Sequence, residues 1–136
     1  MSTNTIILLL GTNLGNKINN LDLAKNYINS KVGLIKKESN LLENKAEGFT
    51  TTNLFLNQKI EIISELSPIQ VLKKVKAIEK KMGRLYSKPL ENEKYIDRII
   101  DIDILLFNNI NYYCKTLSIP HNQNYTRHFI KSLYFF

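Results

Sequence analysis

The stretch Arg98-Ile99-Ile100-Asp101-Ile102-Asp103-Ile104 constrains this chain more than any other. Its apolar residues recur at a period of two, the period of a half-buried strand. Ile100, Ile102 and Ile104 form one row. Asp101 and Asp103 form the opposite row, about 7 Å apart along the strand. Such a strand needs a sheet with one packed face and one polar face. Aspartate is a poor strand former, so two on one face of a strong strand ask for a reason. Two carboxylates held this way repel unless a cation lies between them. Hard divalent cations take oxygen ligands, and Mg²⁺ commonly uses one or two carboxylates plus substrate phosphates. The plain alternative is a solvated polar face.

The rest of the chain supplies partners for that strand. Thr5 to Leu10 is a short apolar run ending in the turn Gly11-Thr12-Asn13-Leu14-Gly15-Asn16. Lys17 to Ser30 carries Ile18, Leu21, Leu23, Ala24, Tyr27 and Ile28, mostly at helical spacing, with Asn16 as the cap. Leu34 to Glu43 reads as a second strand, and Asn44 to Asn53 as a polar loop. Leu54 to Ile63 reads as a third, with Leu54, Leu56, Ile60 and Ile62 inward and Phe55 and Asn57 outward. Ser67-Pro68 starts a helix whose stripe is Leu72, Val75, Ile78 and Met82, and Gly83 stops it. Arg84 to Asp97 is a 14-residue loop without period, a length that is usually functional. Ile110 to Tyr113 reads as a strand returning after the turn Asn108-Asn109, and Tyr125 to Ser132 as a short helix. The order strand, helix, strand, strand, helix, strand predicts an α+β, ferredoxin-like βαββαβ core, an antiparallel sheet with both helices on one face. The other face is left open for a site. The 136 residues suit a single domain spanning 1–136.

Composition narrows the classes of function. No apolar run approaches a membrane span, and the N-terminus lacks the pattern of a signal peptide. The single Cys114 provides no disulfide framework and no cysteine zinc site, which fits a reducing cytoplasm. A net charge of +7 invites a polyanion partner. The chain is rich in Ile, Asn, Lys and Tyr, however, the residues of AT-rich codons, and that bias supplies lysines without functional demand. Against sixteen lysines stand only Arg84, Arg98 and Arg127. Positions that keep the planar guanidinium fork are candidates for binding phosphate.

These residues group around the aspartate strand. Arg98 lies three positions before Asp101, and Arg84 opens the long loop. Cations beside a carboxylate pair that holds metal are what phosphoryl transfer requires. Phe55 beside Asn57 suits stacking a flat heterocycle and reading its edge. His121, after Pro120, suits donation to phosphate.

The segments Leu10-Gly11-Thr12-Asn13-Leu14-Gly15, Asn53-Leu54-Phe55-Leu56-Asn57, Ile78-Glu79-Lys80-Lys81-Met82-Gly83-Arg84, Asp97 to Leu105, and Ile119-Pro120-His121 followed by Arg127-His128-Phe129 share order and spacing with one family. The chain resembles 6-hydroxymethyl-7,8-dihydropterin pyrophosphokinase, an enzyme of the folate pathway. The resemblance implies transfer of a pyrophosphoryl group from ATP to the pterin hydroxymethyl oxygen, leaving AMP. It implies that Asp101 and Asp103 hold two Mg²⁺ and that Arg84 and Arg98 act on the reacting phosphates. Phe55 and Phe129 would sandwich the pterin, and Asn57, Asn44 and the Gly11 backbone would read its polar edge. Lys76, Glu79, Ser118, His121 and Arg127 match the nucleotide side. The implied working form is a cytoplasmic monomer with these two small-molecule substrates and no nucleic-acid or membrane partner. The sequence departs from the family's pattern at Leu42 to Ala46, Tyr86, Tyr95, Thr116 and Asn122, and relatives continue past the position of Phe136. Two other readings stand beside this one: a catalytically weakened homologue kept as a binding partner, and an RNA-binding module with the same strand and helix order. The second lacks the aromatic platform of such modules.

Overall fold

The structure is a computed structural model that describes residues 2–44, 54–83, 99–121 and 128–135, with backbone only for 128 and 129. The first strand, β1 (Asn4–Thr12), runs into the Gly11–Gly15 turn, and α1 (Lys17–Lys31) follows. Asn16 caps α1: its side-chain oxygen accepts the Asn19 amide at 3.1 Å. Asn20 holds the turn from inside the helix, donating to Thr12 Oγ1 at 3.1 Å and to the Leu14 carbonyl at 2.7 Å. After Gly33 come β2 (Leu34–Glu38), β3 (Leu42–Asn44) and β4 (Phe55–Ser64). A side chain at Gly33 would collide with the Ile63 carbonyl, so the chain can bring β2 against β4 here only with glycine.

The second long helix, α2 (Pro68–Lys81), starts with a capping box. The Ser67 hydroxyl accepts the Gln70 amide at 3.3 Å, and the Gln70 side chain accepts the Ser67 amide at 2.8 Å. Gly83, at φ +96°, follows its end. Then come β5 (Asp101–Phe107), β6 (Tyr112–Tyr113), β7 (Ser118–Ile119) and a last turn of helix, α3 (His128–Lys131).

The main sheet has the order β2-β4-β1-β5 and every pairing in it is antiparallel. β2 and β3 lie end to end along the same edge of β4, so the single strand expected over Leu34 to Glu43 is broken. From Glu38 to Leu42 the chain advances four residues while β4, from Ile60 to Asn57, advances three. The surplus residue bulges out around Ser39 and Asn40. Asn44 belongs to β3 and not to the loop expected to begin there. β6 does not return to β5. It pairs with β7 in a separate two-stranded sheet.

One face of the main sheet packs on both long helices. Ile6, Leu8, Leu10, Ile60, Ile62, Ile102 and Ile104 form a single core with Leu21, Ala24 and Ile28 of α1 and Val71, Val75 and Ile78 of α2. The expected stripes are trimmed. Ile18 and Leu23 of α1 are exposed, and Leu72 and Met82 reach the core only at its margin. The opposite face is not fully open, contrary to expectation. Leu9 and Leu105 pack there on Ile130 and Leu133. The last residues are tied to the β2–β3 bulge. Asn40 donates to the Ser132 carbonyl at 3.1 Å and accepts the Tyr134 amide at 2.8 Å, and Ser39 bridges to Phe135. Among the described residues no helix is long and apolar enough to cross a membrane.

Candidate active site

Register places the candidate residues in two rows across the sheet. Directly paired residues on antiparallel neighbours share a face. Asp101 pairs with Gly11, Gly11 with Asn57 and Asn57 with Leu42, one row over β5, β1, β4 and β3. The next row runs Asp103, Leu9, Lys59. With neighbouring strands about 4.8 Å apart, the Asp101 and Asn57 backbones are about 10 Å apart across Gly11. Leu9 and its apolar cluster cover part of the second row, so the first row and the end beyond it form the site.

Gly11 leaves room beside Asn57 and Phe55. A side-chain carbon there would lie 3.0 Å from Asn57 Oδ1 and 3.6 Å from Phe55 Cδ1. Phe55 is half-buried, opposite Asn44 on β3. Asn57 is 5% exposed, so it is a buried amide and not the exposed one expected. Burial obliges its polar atoms to find partners. Its side-chain nitrogen donates to Asn44 Oδ1 and, at 3.5 Å, to the Leu42 carbonyl, while its oxygen lies on the Gly11 side. The aromatic ring, the oriented amide and the bare glycine make a polar-edged slot of the kind that accepts a flat ring.

The carboxylates sit at the other end of the row. Asp101 and Asp103 are half-buried, between the fully buried Ile100, Ile102 and Ile104. His121 comes in from β7, its Nε2 3.8 Å from Asp103 Oδ1, a contact that carries charge only with the imidazole protonated. The His121 amide donates to the Leu105 carbonyl at 3.0 Å, which anchors this approach to β5. Ser118 is half-buried on β7, paired with Tyr113. Glu79 is buried completely. Its Oε2 accepts the Ile102 amide at 2.8 Å, and its Oε1 lies 3.5 Å from the half-exposed Lys76 ammonium.

The donor set suits a hard divalent cation. Two carboxylates project from one face of one strand and leave the remaining positions to phosphate and water. Among the described residues no group of three or more His, Cys, Asp or Glu side chains forms a closed cage. The structure brings Asp101, Asp103, Gly11, Asn44, Phe55, Asn57 and His121 to one end of the sheet, with Ser118 on β7 nearby. Lys76 and Glu79 approach from behind, on α2. Arg84, Arg98 and Arg127 lie outside the described residues, as does the Phe129 side chain, whose backbone is in α3.

Lys59 lies on the second row, beside the candidate site. It shares the outward alternation of Phe55 and Asn57. Its ammonium lies 5.2 Å from the Phe135 ring centroid, and partial burial pulls its pKa below the ordinary lysine value.

A family model described as 7,8-dihydro-6-hydroxymethylpterin-pyrophosphokinase matches residues 7–134. The chain is 35% identical over 130 residues to the 2-amino-4-hydroxy-6-hydroxymethyldihydropteridine pyrophosphokinase of Porphyromonas gingivalis, covering 93% of this chain and 85% of that protein. Its identity to the Aquifex aeolicus enzyme of the same name is 36% over 117 residues, covering 86% and 69%. Among solved structures, the Plasmodium falciparum HPPK-DHPS triple mutant superposes with a TM-score of 0.63 at 19% identity, over 97% of this chain and 34% of that one. That likeness is one of fold, and this chain spans about a third of that protein's length. The chain belongs to the 7,8-dihydro-6-hydroxymethylpterin-pyrophosphokinase family.

Proposed function

We propose that the chain transfers the terminal pyrophosphoryl group of ATP to the hydroxymethyl oxygen of 6-hydroxymethyl-7,8-dihydropterin, giving the pterin diphosphate and AMP. One observation carries this reading: Asp101 and Asn57 stand in one row across Gly11, so a metal-holding group and a heterocycle slot share one end of one sheet face. An acceptor hydroxyl held in the slot then faces a phosphate chain held at the carboxylates, and positioning supplies much of the catalysis. Phe55 would stack the pterin, with Phe129 as its second wall. Asn57, oriented by Asn44, and the Gly11 backbone would read the ring's polar edge.

In the same proposal Asp101 and Asp103 hold two Mg²⁺ between them. Those ions would supply charge neutralisation on the ATP oxygens and acidify the pterin hydroxyl. His121, Ser118 and Arg127 would hold the nucleotide's phosphates and sugar, with Lys76 and Glu79 on the α2 side. Arg84 and Arg98 would meet the charge that develops on the transferred group. The working form is one cytoplasmic chain, a single domain over 1–136, acting without a nucleic-acid or membrane partner. The fold is read as ferredoxin-like, a reading supported by the order β2-β4-β1-β5 and by both long helices on one face.

The direct test is AMP formation from ATP and Mg²⁺ with and without the pterin. Pterin-dependent AMP is expected. Tight, Mg²⁺-dependent ATP binding without AMP would instead assign a weakened homologue that only binds.

A further inference from the structure

We propose that Glu79 is a positioning residue that sets the geometry of the aspartate pair by holding the backbone between them. The inference rests on the reading of Asp101 and Asp103 as metal ligands. Among the described residues β5 is the end strand of the main sheet, and no described strand pairs with its outer edge. Ile102 stands between the two aspartates, and its amide points outward to Glu79 Oε2 at 2.8 Å. The next outward contact along the same edge is the His121 amide on the Leu105 carbonyl. Together they satisfy two outward backbone groups of β5.

Several features make the Glu79 contact more than a chance hydrogen bond. Glu79 is fully buried, and a buried carboxylate persists only where donors compensate the lost hydration. Ile102 supplies one donor and Lys76, 3.5 Å away, supplies charge. A charge-assisted bond to a backbone amide is stronger than a neutral one, and both partners sit on regular elements packed into the same core. Rotation of the Ile102 peptide is thereby resisted. That peptide joins Asp101 to Ile102, so its orientation sets how Asp101 is directed relative to Asp103, two residues on. Glu79 thus acts on the metal ligands through the backbone, as a partner behind the ligands does in metal sites generally.

Two substitutions separate reach from charge. Glu79→Gln keeps an acceptor oxygen at the same reach and removes the charge. Glu79→Asp keeps the charge and is one methylene shorter. The probe is Mn²⁺, titrated by electron paramagnetic resonance in the presence of α,β-methylene-ATP, with analogue binding in EDTA measured separately. The Ile102 amide exchange rate is followed by NMR in each folded variant. Glu79→Asp should weaken Mn²⁺ about tenfold or more and speed Ile102 exchange, while Glu79→Gln stays within about threefold of the parent. Metal-free analogue affinity should change alike in both. The opposite ranking would overturn the positioning role in favour of a role for charge, and equal Mn²⁺ affinities in the two variants would overturn it outright. Unaltered Ile102 exchange in Glu79→Asp would overturn it too. Asp101→Ala is the control for the underlying reading. If it leaves Mn²⁺ affinity intact, the ligand assignment fails and the proposal with it. If it abolishes Mn²⁺ binding while Glu79→Asp does not weaken it, the positioning role alone fails.

Discussion

The two faces of β5 share one backbone and obey opposite rules. On the helix side Ile100, Ile102 and Ile104 are at most 2% exposed and lock the strand under α1 and α2. On the other side Asp101 and Asp103 stay half-buried, with the His121 imidazole 3.8 Å from Asp103 Oδ1. The apolar face anchors what the polar face must present. A carboxylate pair is useful only if its separation and direction are set beforehand, and a close-packed core sets them at no cost in substrate binding energy. The contrast also teaches that stability and activity should separate by parity along this strand.

The contrast can be broken most sharply on the polar face. Asp101→Ala or Asp103→Ala should each lower turnover by about a thousandfold, the scale of losing several kcal/mol of charge stabilisation. The melting temperature should stay within a few degrees of the parent. Steady-state rates beside a thermal melt check both halves, and near-normal turnover would remove the metal assignment. On the apolar face, Ile104→Ala should cost about 2–5 kcal/mol of stability, read from urea unfolding. Measured well below its melting temperature, its turnover should stay within about threefold of the parent, because Ile104 faces the helices and no substrate. A large rate loss in that folded variant would mean that the two faces are not separable. The mildest change sharpens the comparison at the far end of the row. Gly11→Ala places a carbon 3.0 Å from Asn57 Oδ1, in the slot beside Phe55. It should weaken pterin binding about tenfold, roughly 1.4 kcal/mol, and leave affinity for ATP unchanged in calorimetric titrations. Equal losses for both ligands would argue against a separate slot.

Much of this could be read along the chain because the governing rules are local. The alternation of Arg98 to Ile104 names the face of each side chain before any partner strand is known. Asn16 and Ser67-Pro68 mark helix starts because a cap acts within three residues. The Gly11 to Asn16 turn and the stop at Gly83 follow from the same short-range geometry. The candidate site residues follow from pattern and from resemblance, and the register shows which of them share a row.

The remainder depended on contacts far apart in sequence. Period two cannot tell an open face from one covered by Ile130 and Leu133, residues some twenty-five positions beyond Leu105. It could not show that β6 turns to β7 and not to β5, because strand pairing is a choice among competing edges. Nor could it show why Glu79 is buried. On the sequence Glu79 is an acidic residue in a lysine-rich helix. Only the packing of α2 against β5 aims its carboxylate at the Ile102 amide. Which residues face the same way follows from bonds and dihedrals within a few residues, so it is legible along the chain. What each face meets depends on burial and pairing, which the whole chain settles at once.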